Sequence, residues 1–510
     1  MRTHSFNIRL VAKVLGTLLI IEAFFMLLSM LVALFYDEWD LQALFISTLL
    51  TSIGGLFGIM LGRNASSKYG HKESYLIVAL VWVIFSLFGM MPYYFSGAIP
   101  NYTDAFFETI AGFTTTGCTI LRGSFENYMP HGLLFWRAIT QWLGGMGIIV
   151  LSLAILPMFG LGGMQLYTAE VTGPTYEKLS PRIQKTAGIM WGLYVLLTVA
   201  ETVVLKVFGM SLFDATCHSL TTIATGGFST KGRSLLDFEI LAQTDPTIHY
   251  IAIQYTVMIF MLLAGVNFAI LYFVLFKRQL SRIWRDEECR WYLSACLIIG
   301  LVISIGLFIS DFNTASHTAE GIVLLSEESF RHGMFTTIAT ITTTAFANCD
   351  YTTWQPFMWT IIFFLMLTGG SAGSTSGGIK WVRISIFVKN GFAEFKRLIH
   401  PNAIIPPKLN GKALRQSTIT NVMAFLQFYI IVVVAATLAF TAMGISFDEA
   451  VSVSFATIGN IGPGLGQYGP MGCYADFPTL GKWVMAFVML VGRLELFTIL
   501  LLFSPELWKK

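Results

Sequence analysis

Four short stretches hold residues suited to stripping and binding a bare cation. They are Phe113-Thr-Thr-Thr-Gly117-Cys118, Thr221-Thr-Ile-Ala-Thr-Gly226-Gly-Phe-Ser, Ala339-Thr-Ile-Thr-Thr-Thr-Ala345-Phe and Phe455-Ala-Thr-Ile-Gly459-Asn-Ile-Gly-Pro-Gly464. Each is a Thr- and Gly-rich turn set in apolar sequence. Backbone carbonyls and threonine hydroxyls are neutral oxygen donors that can replace an ion's hydration shell. Glycine permits the left-handed backbone that stacking such carbonyls requires. The candidate positions are Thr115, Thr116 and Gly117; Ala224, Thr225 and Gly226; Thr343, Thr344 and Ala345; and Thr457, Ile458, Gly459 and Asn460. No acidic side chain lies within the turns, which points to a monovalent rather than a divalent cation.

Elements able to position these turns are readable around them. The chain has 510 residues, 55% hydrophobic and only 12% charged, against about a quarter charged in soluble domains. Several apolar runs reach the ~20 residues needed to cross a bilayer. Two plain spans, 10–35 and 41–62, come first. The pattern then becomes periodic, with span pairs 74–97 and 133–157, 187–209 and 247–276, 291–310 and 356–381, and 419–443 and 481–504. Each pair brackets one Thr/Gly turn. The turn centres at 117, 226, 345 and 459 mark an internal repeat. The expectation is ten spans and four half-crossings, with no cleavable signal peptide.

Charge gives an independent reading of topology. Lys and Arg gather in alternate connections: Arg2, Arg9 and Lys13; Arg63, Lys68 and Lys72; Lys178, Arg182 and Lys185; Lys277 to Arg290; Lys380 to Arg415; and Lys509 and Lys510. The intervening connections carry Asp37, Glu38, Asp40, Asp104, Glu108, Glu126, Asp237, Glu239, Asp245, Asp311 and Asp476. By the positive-inside rule both termini are cytoplasmic and all four turns face outward. A short helix precedes each turn, with Asp104, Asp214, Glu327/Glu328 or Asp448 near its start. Acids there suit the positive end of the helix dipole, and the negative end then aims at the centre of the path.

Two features suggest a gate. Residues 368–378, including Gly369, Gly370, Gly373, Gly377 and Gly378, cannot form a uniform apolar helix. An unwound intramembrane loop is expected, with close helix packing as the alternative. Arg493 lies deep in the last span, and an intramembrane charge is a functional candidate by default. Its near neighbour Glu495 points to a different helix face. Arg137 is expected to anchor a helix end, Gly144, Gly145 and Gly147 to serve packing, and His218 and His332 to cap or pack the short helices. The six cysteines, without CxxC spacing, read as small buried residues. No HExxH, Walker or dinucleotide motif occurs.

The strings Gln141-Trp-Leu-Gly-Gly-Met-Gly-Ile-Ile-Val150, Leu161-Gly-Gly-Met-Gln-Leu166, Ala224-Thr-Gly-Gly-Phe-Ser229, Gly369-Gly-Ser-Ala-Gly-Ser-Thr-Ser-Gly-Gly-Ile-Lys380 and Thr457-Ile-Gly-Asn-Ile-Gly-Pro-Gly464 carry a family likeness. Over essentially the whole chain the sequence resembles the Trk/Ktr/HKT superfamily of potassium transporters, in particular its bacterial TrkH/TrkG branch. The two extra leading spans fit that branch. The resemblance implies four membrane–pore-loop–membrane repeats in one chain, a pseudo-fourfold path for K+, and one filter glycine per repeat, at Gly117, Gly226 and Gly459. Ala345 stands where the third is expected. In this superfamily the loss of one filter glycine can accompany sodium permeation. The resemblance also implies a constriction arginine at Arg493, a homodimer, and a nucleotide-binding cytoplasmic partner of TrkA type. The basic segment 380–415 offers a docking surface for such a partner or a face for lipid headgroups.

The expected fold is all-α and polytopic. Residues 1–72 form two N-terminal transmembrane helices, and 73–183, 184–289, 290–415 and 416–510 form the four pore repeats, the third with the intramembrane loop. The expected function is potassium uptake across the bacterial inner membrane. The alternatives are a proton- or sodium-coupled symporter on the same fold and a filter open to both K+ and Na+. The small net charge of +3 argues against nucleic acid as a partner, and no cluster of buried acids, His or Cys suggests an enzyme.

Overall fold

A computed structural model describes residues 7–65, 71–147, 183–312 and 319–508. The end of the expected span 133–157, the string 161–166, the basic residues Arg2, Lys68, Lys178, Arg182, Lys509 and Lys510, and the expected boundary between the first two repeats around 183 fall at or outside those limits. Two long helices, Ile8–Tyr36 and Leu41–Leu61, come first and pack along their length. Small residues allow this: a Cβ added to Gly16 would fall 2.6 Å from Gly55 O, and one on Gly58 would fall 2.8 Å from Ala12 O.

Four copies of one motif follow. Each opens with a long helix: His71–Gly89, Ile183–Val207, Glu287–Phe312 and Gln416–Ala442. Each then has a pore helix: Tyr102–Phe113, Leu212–Ile223, Ala319–Ile341 and Phe447–Ile458. An extended return leads to a second helix: His131–Trp142, Tyr250–Ala264, Pro356–Leu365 and Thr479–Arg493. Six helices among the described residues are long and apolar enough to cross a membrane, and a seventh crossing, Tyr250–Ala264 with Phe268–Leu275, is bent by 110°.

The second helices of the first, second and fourth repeats depart from the uninterrupted spans expected, while in the third an unwound loop is expected and observed. The first widens into a π turn at Leu143–Gly147. The next breaks at Gly265–Asn267, where Asn267 Oδ1 accepts the Ala269 N–H at 2.8 Å and starts a new helix. The third unwinds after Leu365, and its chain is next helical at Trp381–Ile399. The last breaks where Glu495 and Leu496 adopt positive φ of 53° and 45° before Phe497–Leu502. Glycine or a helix-capping side chain lies at or beside each break, which weakens the helix interior there.

The pore helices begin on the caps their sequences suggest. Asn101 Oδ1 accepts from Thr103 N at 2.9 Å, and Ser211 Oγ accepts from Asp214 N at 2.9 Å and donates to Asp214 Oδ2 at 2.8 Å. Ser446 donates to Glu449 at 2.9 Å. Asp104, Asp214 and Asp448 lie in first turns. The third pore helix differs from expectation. It starts at Ala319, so Glu327 and Glu328 lie well inside it. There Glu327 pairs with Arg331 at 3.0 Å, one turn on.

Buried ion pairs join the repeats behind the turns. Lys482 Nζ lies 2.6 Å from Asp104 Oδ1 and closes the fourth repeat onto the first. Arg137, expected at a helix end, is instead fully enclosed. Its Nε lies 2.6 Å from Glu108 Oε1, with the two side chains 3% and 0% exposed. Glu108 also accepts from Thr119 Oγ1 at 2.9 Å and Ile120 N at 2.8 Å, so one carboxylate holds the strand leaving the first turn. Cys118, Cys217, Cys289 and Cys296 are buried thiols, while Cys349 and Cys473 are half-buried rather than buried as expected.

Removing one partner of a buried pair strands the other charge. Arg137→Met is expected to cost about 3–5 kcal/mol. The readout is an earlier thermal inactivation in detergent, and adding Glu108→Gln should restore part of the loss.

Candidate functional site

The four pore helices end in the same way. In each, an amide beyond the helix donates back to a carbonyl five residues earlier: Thr116 to Ala111 (2.9 Å), Gly226 to Thr221 (2.8 Å), Thr344 to Ala339 (2.9 Å) and Ile461 to Ala456 (2.8 Å). This is the hydrogen bond of a Schellman-type stop. Two left-handed residues flank each of those amides: Thr115 and Gly117, Thr225 and Gly227, Thr343 and Ala345, and Asn460 and Gly462.

This pattern fixes the register between repeats. The structural counterparts of Gly117 are Gly227, Ala345 and Gly462. Gly226 and Gly459, singled out from sequence, occupy other places in their turns. Gly226 matches Thr116. Gly459, with φ −75°, caps its helix and matches Thr114. Thr457 and Ile458 lie within the fourth pore helix, and Ala224 caps the second. The sequence could not separate Gly226 from its neighbour Gly227, nor Gly459 from Gly462, because only helix length distinguishes them.

The four turns meet at one point. A Cβ built on Gly117, Gly227 or Gly462 falls 2.9, 2.6 or 3.2 Å from the Ala345 methyl. Each also abuts a carbonyl of a neighbouring turn: Gly117 against Gly226 O at 2.4 Å, Gly227 against Thr344 O at 1.8 Å, and Gly462 against Thr116 O at 2.5 Å. The contacts run first to second, second to third and fourth to first, so the turns form a ring in chain order. Ala345 adopts φ 67°, a conformation that costs an L-residue about 1–2 kcal/mol.

Beneath the ring lies the unwound segment 366–380. Its two ends are laddered, with Gly369 N donating to Ile379 O at 2.9 Å and Ile379 N to Leu367 O at 3.1 Å. Between those ends the segment reaches across to other repeats. Gly377 N donates to the Thr343 hydroxyl in the third turn at 2.7 Å. The Thr375 hydroxyl donates to Ile223 O at 3.0 Å, and Ser371 N donates to Gly265 O at 2.8 Å, both on the second repeat. Glu288 Oε1 accepts the N–H groups of Ala372 (2.6 Å) and Val382 (3.1 Å), holding the segment and the helix after it with one oxygen. Nothing in the local sequence pattern around Glu288 signals that role.

Arg493 joins this segment to the opposite wall. It donates to Thr375 O at 3.0 Å, and to Gly144 O at 2.6 Å and Gly145 O at 2.7 Å at the break of the first repeat. The first and third repeats are diagonal in the ring, so a side chain of the fourth repeat spans the space below it. Glu495 is not its partner, since it binds Arg383 at 2.5 Å. Gly144 and Gly145 do pack closely: a Cβ on Gly144 would fall 1.8 Å from Phe113 O. His218 also packs as expected, bonding Asp214 O and Ser229 Oγ at 2.8 and 2.9 Å.

Sequence reasoning passed over Gln141. Its Nε2 donates to Gly226 O at 2.7 Å, and its Oε1 accepts from Phe228 N at 3.0 Å. An amide side chain in an apolar span was the available signal.

Fold and site together define a polytopic membrane protein whose four pore-loop repeats meet in one ring. The chain belongs to the TrkH cation transport protein family, whose sequence model matches residues 42–510. It is 37% identical to the Trk system potassium uptake protein TrkH of Salmonella typhimurium, over 99% of this chain and 100% of that protein. It is 30% identical to the Trk system potassium uptake protein TrkG of Escherichia coli K12, over 99% and 100%. The crystal structure of the potassium transporter TrkH from Vibrio parahaemolyticus superposes with a TM-score of 0.84 at 32% identity, covering 98% of this chain and 100% of that one.

The register makes Gly227 less replaceable than Gly226. A Gly227→Ala methyl would fall on the Thr344 carbonyl with φ held at 76°, whereas at Gly226 the three nearest atoms it would meet belong to the Gln141 side chain. Gly227→Ala is expected to give the larger loss of folded protein, roughly the several kcal/mol of overpacking plus left-handed strain. Size-exclusion yield and melting in detergent compare the two.

Proposed function

We propose that this protein carries K+ inward across the bacterial inner membrane through the ring of four turns, which acts as a selectivity filter. The observation that carries the reading is the convergence of Gly117, Gly227, Ala345 and Gly462 on one point. Neutral oxygens at such a point replace the hydration shell of a monovalent cation. The names of the relatives, all potassium uptake proteins, support K+ as the ion. K+ is the transported substrate rather than a resident cofactor. The filter residues are Thr115, Thr116 and Gly117, Thr225, Gly226 and Gly227, Thr343, Thr344 and Ala345, and Asn460 to Gly462, with Ala224, Thr457, Ile458 and Gly459 supporting them from the helix ends.

The unwound segment 366–380, with Gly369, Gly370, Gly373, Gly377 and Gly378, and Arg493 form the gate. With the guanidinium bonded to three carbonyls beneath the ring, its positive charge stands in the path of a cation. Retraction of the segment from Ile223, Gly265 and Arg493 opens the path. The acidic turn Asp37–Asp40 sits beside His131 at the ring end, where Glu38 bonds His131 Nδ1 at 2.7 Å. The basic residues Arg383 and Lys389 sit at the gate end with Glu495 and Glu287. This partition supports a cytoplasmic gate and cytoplasmic termini. It leaves the basic segment 380–415 facing a nucleotide-binding partner of TrkA type, with the membrane subunit working as a homodimer.

One observation favours a filter that also passes Na+. The Ala345 methyl stands where the other three turns present only hydrogen, which disturbs the fourfold coordination. Flux of rubidium and sodium into liposomes, compared side by side, tests the whole reading. Sodium flux equal to or above rubidium flux would remove potassium selectivity from it. Ala345→Gly is expected to raise the rubidium-to-sodium ratio roughly three- to tenfold, about 1 kcal/mol of discrimination, and an unchanged ratio refutes the role given to the methyl. Arg493→Ala is expected to raise cation flux severalfold at equal expression; flux equal to the parent would remove Arg493 from the gate.

A further inference from the structure

The four turns are not braced alike. In the first, the Thr114 hydroxyl donates to Ile110 O at 2.6 Å and lies 2.8 Å from the Thr116 hydroxyl. In the third, Thr342 donates to Ile338 O at 2.7 Å and lies 2.7 Å from Thr344. These hydroxyl pairs tie each left-handed turn to its own pore helix. The matching positions in the second turn are Ala224 and Gly226, which have no hydroxyl, and Gly227 follows at once. Two consecutive glycines leave that backbone the freest of the four.

Gln141 fills the gap. It comes from the second helix of the first repeat and is wholly buried. A Cβ on Gly226 would fall 2.4 Å from both Cδ and Oε1 of Gln141, so the amide occupies the side-chain space that Gly226 leaves empty. Its two hydrogen bonds, to Gly226 O and from Phe228 N, bracket Gly227 on either side. One helical turn earlier, Arg137 donates to Ser229 O at 2.8 Å and lies 3.5 Å from the Phe228 ring centre. The fourth turn has a different brace: Asn460 Nδ2 donates to the Thr116 hydroxyl at 2.9 Å and to Met489 O at 3.0 Å.

We propose that Gln141 is a positioning residue for ion selectivity, supplied by the first repeat in place of the hydroxyl pair that the second turn lacks. The proposal rests on the ring acting as the filter. Discrimination between alkali cations depends on where the coordinating oxygens are held and on how far they yield. An unbraced Gly226–Gly227 turn would close around a smaller cation as readily as a larger one. Gln141 holds it at the spacing that the first and third turns set for themselves.

The test is the rubidium-to-sodium flux ratio of the purified full-length protein in liposomes. Gln141→Met keeps the side-chain length and removes both hydrogen bonds. The ratio should fall by roughly fivefold or more. The rescue is Gln141→Ala combined with Ala224→Thr and Gly226→Thr, which moves the hydroxyl pair of the first turn into the second. Gly226 is not left-handed, and the three atoms nearest a Cβ there all belong to Gln141, so shortening Gln141 removes the clash that a threonine would meet first. This triple variant should return the ratio to within about twofold of the parent. A parent-like ratio in folded Gln141→Met overturns the proposal. So does a triple variant that folds with a lowered ratio, or that fails to fold, because the threonine pair then does not substitute. If Gln141→Met itself fails to fold, the triple variant decides by the same outcomes. Ala345→Gly serves as the control on the filter. If it shifts the ratio and Gln141→Met does not, the brace fails and the filter reading stands; if neither shifts it, the filter reading fails.

Discussion

Backbone that leaves the helix at membrane depth must find all its hydrogen bonds within the protein. Among the described residues this chain leaves the helix at least seven times, at four turns and at three breaks in the second helices, and widens it once into a π turn, and the rest of the structure is arranged around satisfying those groups. The turns use their own helix ends, each closing a bond five residues back. The breaks use neighbours: Ser371 on Gly265, Arg493 on Gly144 and Gly145, and Glu288 on Ala372 and Val382. The buried charges Glu108 and Arg137 and the half-buried Arg493 stay in the interior because carbonyls and amides complete their shells. A buried charge without such partners would be strongly destabilising.

The same requirement explains why four repeats of one design are no longer alike. A fourfold ring needs the same backbone path in each turn, but not the same side chains. The second of the two left-handed positions is Gly in three turns and Ala in the third. The brace is a threonine pair in two, a borrowed glutamine in one and an asparagine in the last. The strain at Ala345, about 1–2 kcal/mol, is comparable with one or two hydrogen bonds. A densely packed ring can hold it.

Much of the architecture was legible in the sequence. Apolar runs, a repeat of Thr/Gly turns, a Gly/Ser/Thr-rich interruption and alternating basic connections mark the helices, the ring and the unwound segment. What stayed hidden was register and reach. Gly226 and Gly227 are adjacent, and Gly459 and Gly462 share one turn, so composition alone does not say which is left-handed. Glu327 and Glu328 resemble a helix start, but the helix begins at Ala319. Arg137 and Gln141 touch residues 92 and 85 positions away, and no local pattern encodes a contact of that separation.

The breaks in the second helices bear on how movement travels through the wall. An intact rod spanning the bilayer would carry any tilt at its lower end straight to the ring. Here the second, third and fourth rods are jointed below the turns, at Gly265, Leu365 and Leu494, and the first widens at Leu143–Gly147. Above the breaks, the Lys482–Asp104 and Arg137–Glu108 pairs fasten the fourth and first rods beside the ring. A jointed rod does not transmit a tilt of its far end as a lever, so the turns are decoupled from displacements below the joints.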